Sequence, residues 1–401
     1  MRLIFLGILA LSVLAFCAHI GSQWPKSPTT PLPLSSHDLL QRGLRGIRDR
    51  DAEEIRLALA GLEVTEEHSD QVSLLQGALS LLSDQPQAAL QDFAKLSPEG
   101  SLRDPLLTLT GEALYRVGQL DNAERCLILA LQDTPNNVDA LRWLATVYYD
   151  LGDIDKTLQT LGEVSRVAPE DYRPHHMQGA IYRDFGEHPK AIIELSRAVE
   201  LSAGLEIENE IRPLLAASQM SLKQFDAALL TLQECTATPV SLSLQADCLW
   251  QSGQSNAARE RLQQAESLGE LPASGKRLKV RISIEMHDLT EARQQLESLI
   301  ASDPGDDEAE YLLALLFRQL KEEPQSQHHL ARSESIKSLK NQLTELSETA
   351  MKQPDNAEVR DQLAGLCDQL GLKPLAQVWR TAAASCRRRL APVAPEERGT
   401  P

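Results

Sequence analysis

The chain has 401 residues, 42% hydrophobic but only 4% aromatic, and is drawn mostly from Leu, Ala, Gln, Glu and Ser, the residues of helices rather than strands. An all-α fold is expected. A formal net charge of −17 argues against nucleic acid as a partner, because neutralising phosphates takes clustered Lys and Arg. The one basic cluster, Arg387-Arg388-Arg389, stands near Glu396-Glu397 and reads as a helix end running into a solvated tail over 387–401.

Residues 1–24 stand apart from the rest. Met1-Arg2 precedes an uncharged run of eighteen residues, Leu3 to Ile20. As a helix it would span about 27 Å, close to a bilayer core. The run fits an uncleaved membrane anchor, the reading favoured here, or a signal peptide cleaved near Ala15, or a lipidated Cys17. Against lipidation, Phe16 stands where Gly, Ala or Ser is wanted. Residues 25–36 form a linker, with four prolines among the nine residues from Pro25 to Pro33 imposing an extended stretch. Arg2 lies before the apolar run and only Lys26 follows it closely, so the positive-inside bias puts the remainder on the non-cytoplasmic side.

From residue 37 onward the chain repeats itself. A small residue is followed twelve positions later by a second, four further by a large apolar residue, and three beyond by a mostly small or apolar one. Gly111, Ala123, Leu127, Ala130 and Gly179, Ala191, Leu195, Ala198 are the clearest copies; Gly77, Ala89, Phe93, Leu96 and Ala145, Thr157, Leu161, Val164 are two more. The leading positions are Gly43, Gly77, Gly111, Ala145, Gly179, Ala216, Ala246, Val280, Ala314 and Ala364, at intervals of 34 four times and then 37, 30, 34, 34 and 50. Two helices of three to four turns with two short turns take about 34 residues. Gly118, Gly152, Gly186 and Gly253 fall just past the first helix of their units. Pro135, Pro169 and Pro304 fall where the second helix should stop.

In these residues the chain resembles the tetratricopeptide repeat family, best over Asp104 to Pro135 and Val138 to Pro169, where Leu141, Leu144, Ala145 and Tyr148 stand at the family's signature positions. The resemblance extends over about residues 37–386 and suggests a membrane-anchored bacterial member. It implies an all-α, right-handed superhelical solenoid of about nine to ten hairpins, whose first helices line a concave face. Residues 37–332 are the array, and residues 333–386 an extended helix with a capping hairpin. In that last region the interval grows by sixteen residues between Ser333 and Lys352, with Leu339, Leu343, Leu346 and Ala350 at helical spacing. Either the second helix is lengthened there or a separate helix is inserted. The final unit carries Arg380 where a large apolar residue is expected, as suits a polar cap.

No Walker loop, dinucleotide fingerprint, nucleophile elbow or HExxH is present, so no enzymatic activity, cofactor, metal or small-molecule substrate is expected. The pairs His175-His176 and His328-His329 are adjacent in sequence and diverge by about 100° on a helix, which prevents chelation by either alone. Beyond Cys17 there are Cys126, Cys235, Cys248, Cys367 and Cys386, without CxxC spacing. Cys235 with Cys248, or Cys367 with Cys386, are open either to bridging or to service as buried thiols.

The repeat geometry that the family implies turns Glu112, Tyr115 and Arg116, then Arg142, Thr146 and Tyr149, then His176, Arg183 and Asp184 toward the concave groove. Tyr and Arg are common interface anchors. The family's Lys and Asn clamp for a C-terminal carboxylate is missing. The expected function is a non-catalytic, membrane-tethered scaffold that binds a protein or peptide partner in this groove. The alternative is a non-catalytic subunit of an envelope-biogenesis or glycan-transfer complex.

Overall fold

The computed structural model describes residues 35–62, 68–97, 100–353 and 355–390. The apolar run Leu3 to Ile20, the prolines from Pro25 to Pro33 and the tail past residue 390 lie outside the described residues. Among the described residues there are twenty α-helices and no strand, and no helix is long and apolar enough to cross a membrane. The chain divides into two compact units, residues 1–151 and 152–401.

The first unit holds α1 (Ser36–Asp49), α2 (Ala52–Gly61), α3 (Ser69–Leu82), α4 (Pro86–Phe93), α5 (Arg103–Arg116), α6 (Leu120–Asp133) and α7 (Val138–Leu151). The pairs α1/α2, α3/α4 and α5/α6 pack as hairpins, and α7 stacks on the last of them. The small residue that opens each repeat explains how closely they pack. A Cβ on Gly77 would lie 2.3 Å from the ring of Phe93, and one on Gly111 would lie 2.6 Å from Leu127 Cγ. Glycine inside a helix costs roughly 0.5–1 kcal/mol, and here that cost is offset by the burial the close approach allows.

The second unit runs through α8 (Ile154–Val167), α9 (Tyr172–Asp184), α10 (His188–Leu201), α11 (Glu208–Ser221), α12 (Phe225–Gln233), α13 (Pro239–Gln251), α14 (Ser255–Leu268), α15 (Ala273–Glu285), α16 (Leu289–Ser302), α17 (Asp307–Gln319), α18 (Glu323–Lys352), α19 (Ala357–Gln369) and α20 (Lys373–Leu390). Gly179 repeats the close approach, its Cβ position lying 2.5 Å from Leu195 Cγ. The apolar core is a series of local clusters. Ala216, Ala228, Leu232 and Cys248 join α11 and α12 to α13, and Val280, Leu296, Leu299, Leu313 and Phe317 join α15 and α16 to α17. Each hairpin covers the apolar face of the next, as in repeat proteins whose stability is a sum of neighbour terms.

The turn between the two helices of a repeat is the same throughout. Arg50, Asp84, Gly118, Gly152, Gly186, Lys223, Gly253, His287, Lys321 and Gly371 all have left-handed φ, between 54° and 78°. Each lies seven residues after the leading small residue of its unit, from Gly43 to Ala364. Five of the ten are not glycine, which accounts for how incompletely glycine marks this turn in the sequence.

The sixteen extra residues lengthen the second helix. Helix α18 is continuous over 30 residues, about 45 Å. Its first part packs on α17 and its second part on α19, where Leu343, Leu346 and Ala350 meet Val359, Leu363 and Trp379. On the terminal hairpin, Arg380 is exposed and paired with Asp368.

Candidate functional site

The nine residues expected to face a groove divide between the units, six on α5 and α7 of the first and three on α9 of the second. On α5, Glu112 is 2% exposed and binds two guanidinium groups, Arg50 at 2.8 Å and Arg116 at 2.7 Å. Arg50 approaches from the left-handed turn after α1. Arg116 also donates to the Leu81 carbonyl at 3.4 Å and lies 5.9 Å from the centre of the Trp143 ring. The Tyr115 and Trp143 rings are 5.4 Å apart, and the Tyr115 hydroxyl donates to Asp150 at 2.8 Å. Burial pushes both the Tyr115 phenol and the Asp150 carboxyl above their ordinary ranges. The result is a polar and aromatic seam from the end of α1 across α5 to α7.

Arg142, Thr146 and Tyr149 are half-buried on α7. Arg142 pairs with Asp139 at 2.8 Å, and the Thr146 hydroxyl donates to the Arg142 carbonyl at 3.0 Å. On α9, His176 is half-buried, and burial, followed by Arg183, holds its pKa below the usual histidine value. Arg183 pairs with the neighbouring Asp184 at 2.9 Å. The seam residues Arg50, Trp143 and Asp150 were not legible as candidates. Tyr115 and Asp150 are 35 positions apart, one repeat and one residue, and that offset is the only signal that could have paired them.

The second unit has a further charged seam that the sequence did not single out. Arg277 binds Asp306 at 2.7 Å and Glu308 at 3.1 Å, and Arg281 also pairs with Glu308. Asp247 faces these arginines, and its pKa is raised by burial against the opposing effect of Gln251, Arg281 and Arg277. Glu310, fully buried, accepts from His329 Nδ1 at 2.7 Å and pairs with Arg332 at 2.9 Å. His175 pairs with Glu194 at 2.7 Å.

Among the described residues no three His, Cys, Asp or Glu side chains are placed to hold a metal ion. Cys126, Cys235, Cys248, Cys367 and Cys386 are free thiols, so neither candidate bridge is formed. Burial pushes Cys248 up to about 12 and Cys367 up to about 11, which leaves both protonated and unreactive at neutral pH. The ion pairs Arg380–Asp368 and Arg387–Asp361 set the register of α19 against α20 and place Cys367 and Cys386 at different levels of the hairpin.

Residues 114–181, from the end of α5 into α9, match the sequence profile of the tetratricopeptide repeat. The tetratricopeptide repeat family is supported for that stretch. No curated protein sequence matches the chain. Among solved structures, the chain is similar to a tetratricopeptide repeat protein from Parabacteroides merdae, at 16% identity and a TM-score of 0.45, over 62% of this chain and 99% of that one. It is similar to pilF of Pseudomonas aeruginosa at 17% identity and a TM-score of 0.43, over 55% of this chain and 97% of that one. It is also similar to the Cut9–Hcn1 hetero-tetramer of the APC/C at 14% identity and a TM-score of 0.43, over 85% of this chain and 67% of that one.

Proposed function

We propose that the protein is a non-catalytic scaffold of the tetratricopeptide type that holds a protein or peptide partner against its first helices. The observation that carries this reading is the seam on α5 and α7. Tyr115, Arg116 and Trp143 are locked to one another, while Arg142 and Tyr149 lie half-buried on α7 beside them. Aromatic and Arg side chains held rigid before binding lose little entropy on contact. Glu112 serves as the brace that orients Arg116; in the second unit, α9 offers His176, Arg183 and Asp184 as polar groups of its own. A partner segment with acidic and apolar groups suits this surface.

The apolar run Leu3 to Ile20 would tether the array to a membrane, with the repeats on the non-cytoplasmic side. Deleting residues 1–24 should then release a folded, soluble chain from the membrane fraction. Recovery of the intact chain in the soluble fraction with a new N-terminus near residue 16 or 19 would replace the anchor with a cleaved signal.

The scaffold reading is tested by a double substitution, Arg142→Ala with Tyr149→Ala. Pull-down from detergent extract first identifies the partner of the wild-type chain. The variant should melt like the wild type and lose that partner, since truncating an anchor costs roughly 2 kcal/mol or more. Unchanged melting with full partner recovery would move the binding surface to another face.

A further inference from the structure

Gly152 is the first residue of the second unit, yet it lies against that unit's last hairpin. A Cβ on Gly152 would be 3.3 Å from the Trp379 ring on α20 and 3.4 Å from Arg360 Nη2 on α19. Arg360 is fully buried, and its guanidinium donates to the carbonyls of Gln353 at 3.3 Å and Asn356 at 3.2 Å, where α18 passes into α19. Trp379 packs, with Leu343 and Leu346 of α18, on the buried cluster of Ala350 on α18 and Val359 and Leu363 on α19. The same hairpin is seated at a second point, where a Cβ on Gly305, between α16 and α17, would lie 2.8 Å from the Leu370 carbonyl oxygen.

We infer that the hairpin α19/α20 is an intramolecular clasp, closing the second unit onto its own first residue and setting its curvature. This goes beyond the scaffold reading and does not depend on it. The clasp also assigns a purpose to the sixteen added residues of α18. With a regular interval of 34 residues the last hairpin would stack on α17/α18 as one more repeat. The insertion is about four turns, some 24 Å, and carries the hairpin along the helix axis past the start of α17. Ser333 and Lys340 on α18 bind Asp307 at the start of α17, holding α18 in line as it leaves that helix. Any partner seated on α9 to α17 must accept the curvature the clasp imposes, or open it.

Lysine cross-linking of the full wild-type chain tests the clasp without altering it. Lys156 on α8 and Lys373 on α20 are four and six residues from Gly152 and Trp379. Their Cα atoms therefore fall within about 25 Å if the clasp is closed. An open stack of hairpins, with helices about 8–10 Å apart, would separate them by on the order of 50 Å or more. A reagent that spans the shorter gap alone should join Lys156 to Lys373, and Trp379→Ala should lower that yield by about tenfold or more while the link between Lys337 and Lys352 along α18 persists. Absence of the link in the wild-type chain, or an equal yield in a folded Trp379→Ala variant, overturns the clasp. Should the variant fail to fold, the wild-type link decides alone.

Discussion

Gly111 of α5 faces Leu127 of α6 so closely that an added Cβ would stand 2.6 Å from Leu127 Cγ. Alanine at a helical glycine ordinarily adds up to about 1 kcal/mol of stability. Here the overpacking term, typically about 1–3 kcal/mol, outweighs that gain, because Leu127 is fully buried and has nowhere to retreat. Gly111→Ala should lower stability by about 1 kcal/mol in denaturant unfolding. A variant more stable than the wild type would mean that α5 and α6 pack less tightly than described.

Lys223 adopts φ 60° in the turn that Gly118 and Gly186 occupy in their own repeats. A non-glycine residue there carries about 1 kcal/mol or more of strain. Lys223→Gly should raise stability, by less than that figure because glycine also loses more freedom on folding, and Gly118→Ala should lower it. Thermal melts of the two variants should move in opposite directions; a shared direction would contradict the common turn geometry.

Glu112 is the buried member of a triad whose arginines, Arg50 and Arg116, keep 47% and 25% of their side chains exposed. Glu112→Ala should cost about 2 kcal/mol, below the range for wholly buried pairs because both guanidinium groups can still reach water. It should also free Arg116 from its position over Trp143, seen as a change in indole fluorescence. Loss of stability without a fluorescence change would confine the role of Glu112 to the Arg50 contact.

Burial raises the Asp150 carboxyl above its unfolded-state value, so the native state holds that proton more tightly than the unfolded chain does. The contribution of this group to stability is therefore complete below about pH 4 and is lost as the pH rises through the raised value. Asp150→Asn keeps an acceptor for the Tyr115 hydroxyl and removes the titration. Relative to the wild type, its stability should improve between about pH 4 and pH 7. A constant difference across that range would show that Asp150 titrates normally.

The helical hairpins and their punctuation were legible because each depends on neighbours within about 34 residues in a pattern repeated many times. Gly111 and Leu127 are sixteen residues apart, and that spacing recurs at Gly77 and Phe93 and at Gly179 and Leu195. The left-handed turn was visible only where it happened to be glycine, since Arg50, Asp84, Lys223, His287 and Lys321 adopt the same φ without a distinguishing residue type. In the candidate site, residue types on the first helices were readable, but what each one touches was not.

By itself the sequence determined the all-helical repeat, its period, and the residue types offered on successive first helices. Only the tertiary structure decided that Glu112 is buried between two arginines, that Asp150 receives the Tyr115 hydroxyl, and that α18 is one helix rather than two. The reason is separation along the chain. Arg50 and Glu112 lie 62 residues apart, and Gly152 and Trp379 belong to opposite ends of a unit. No local periodicity relates such positions; their meeting depends on how each hairpin is rotated on the one before it, which the packing of the whole unit sets.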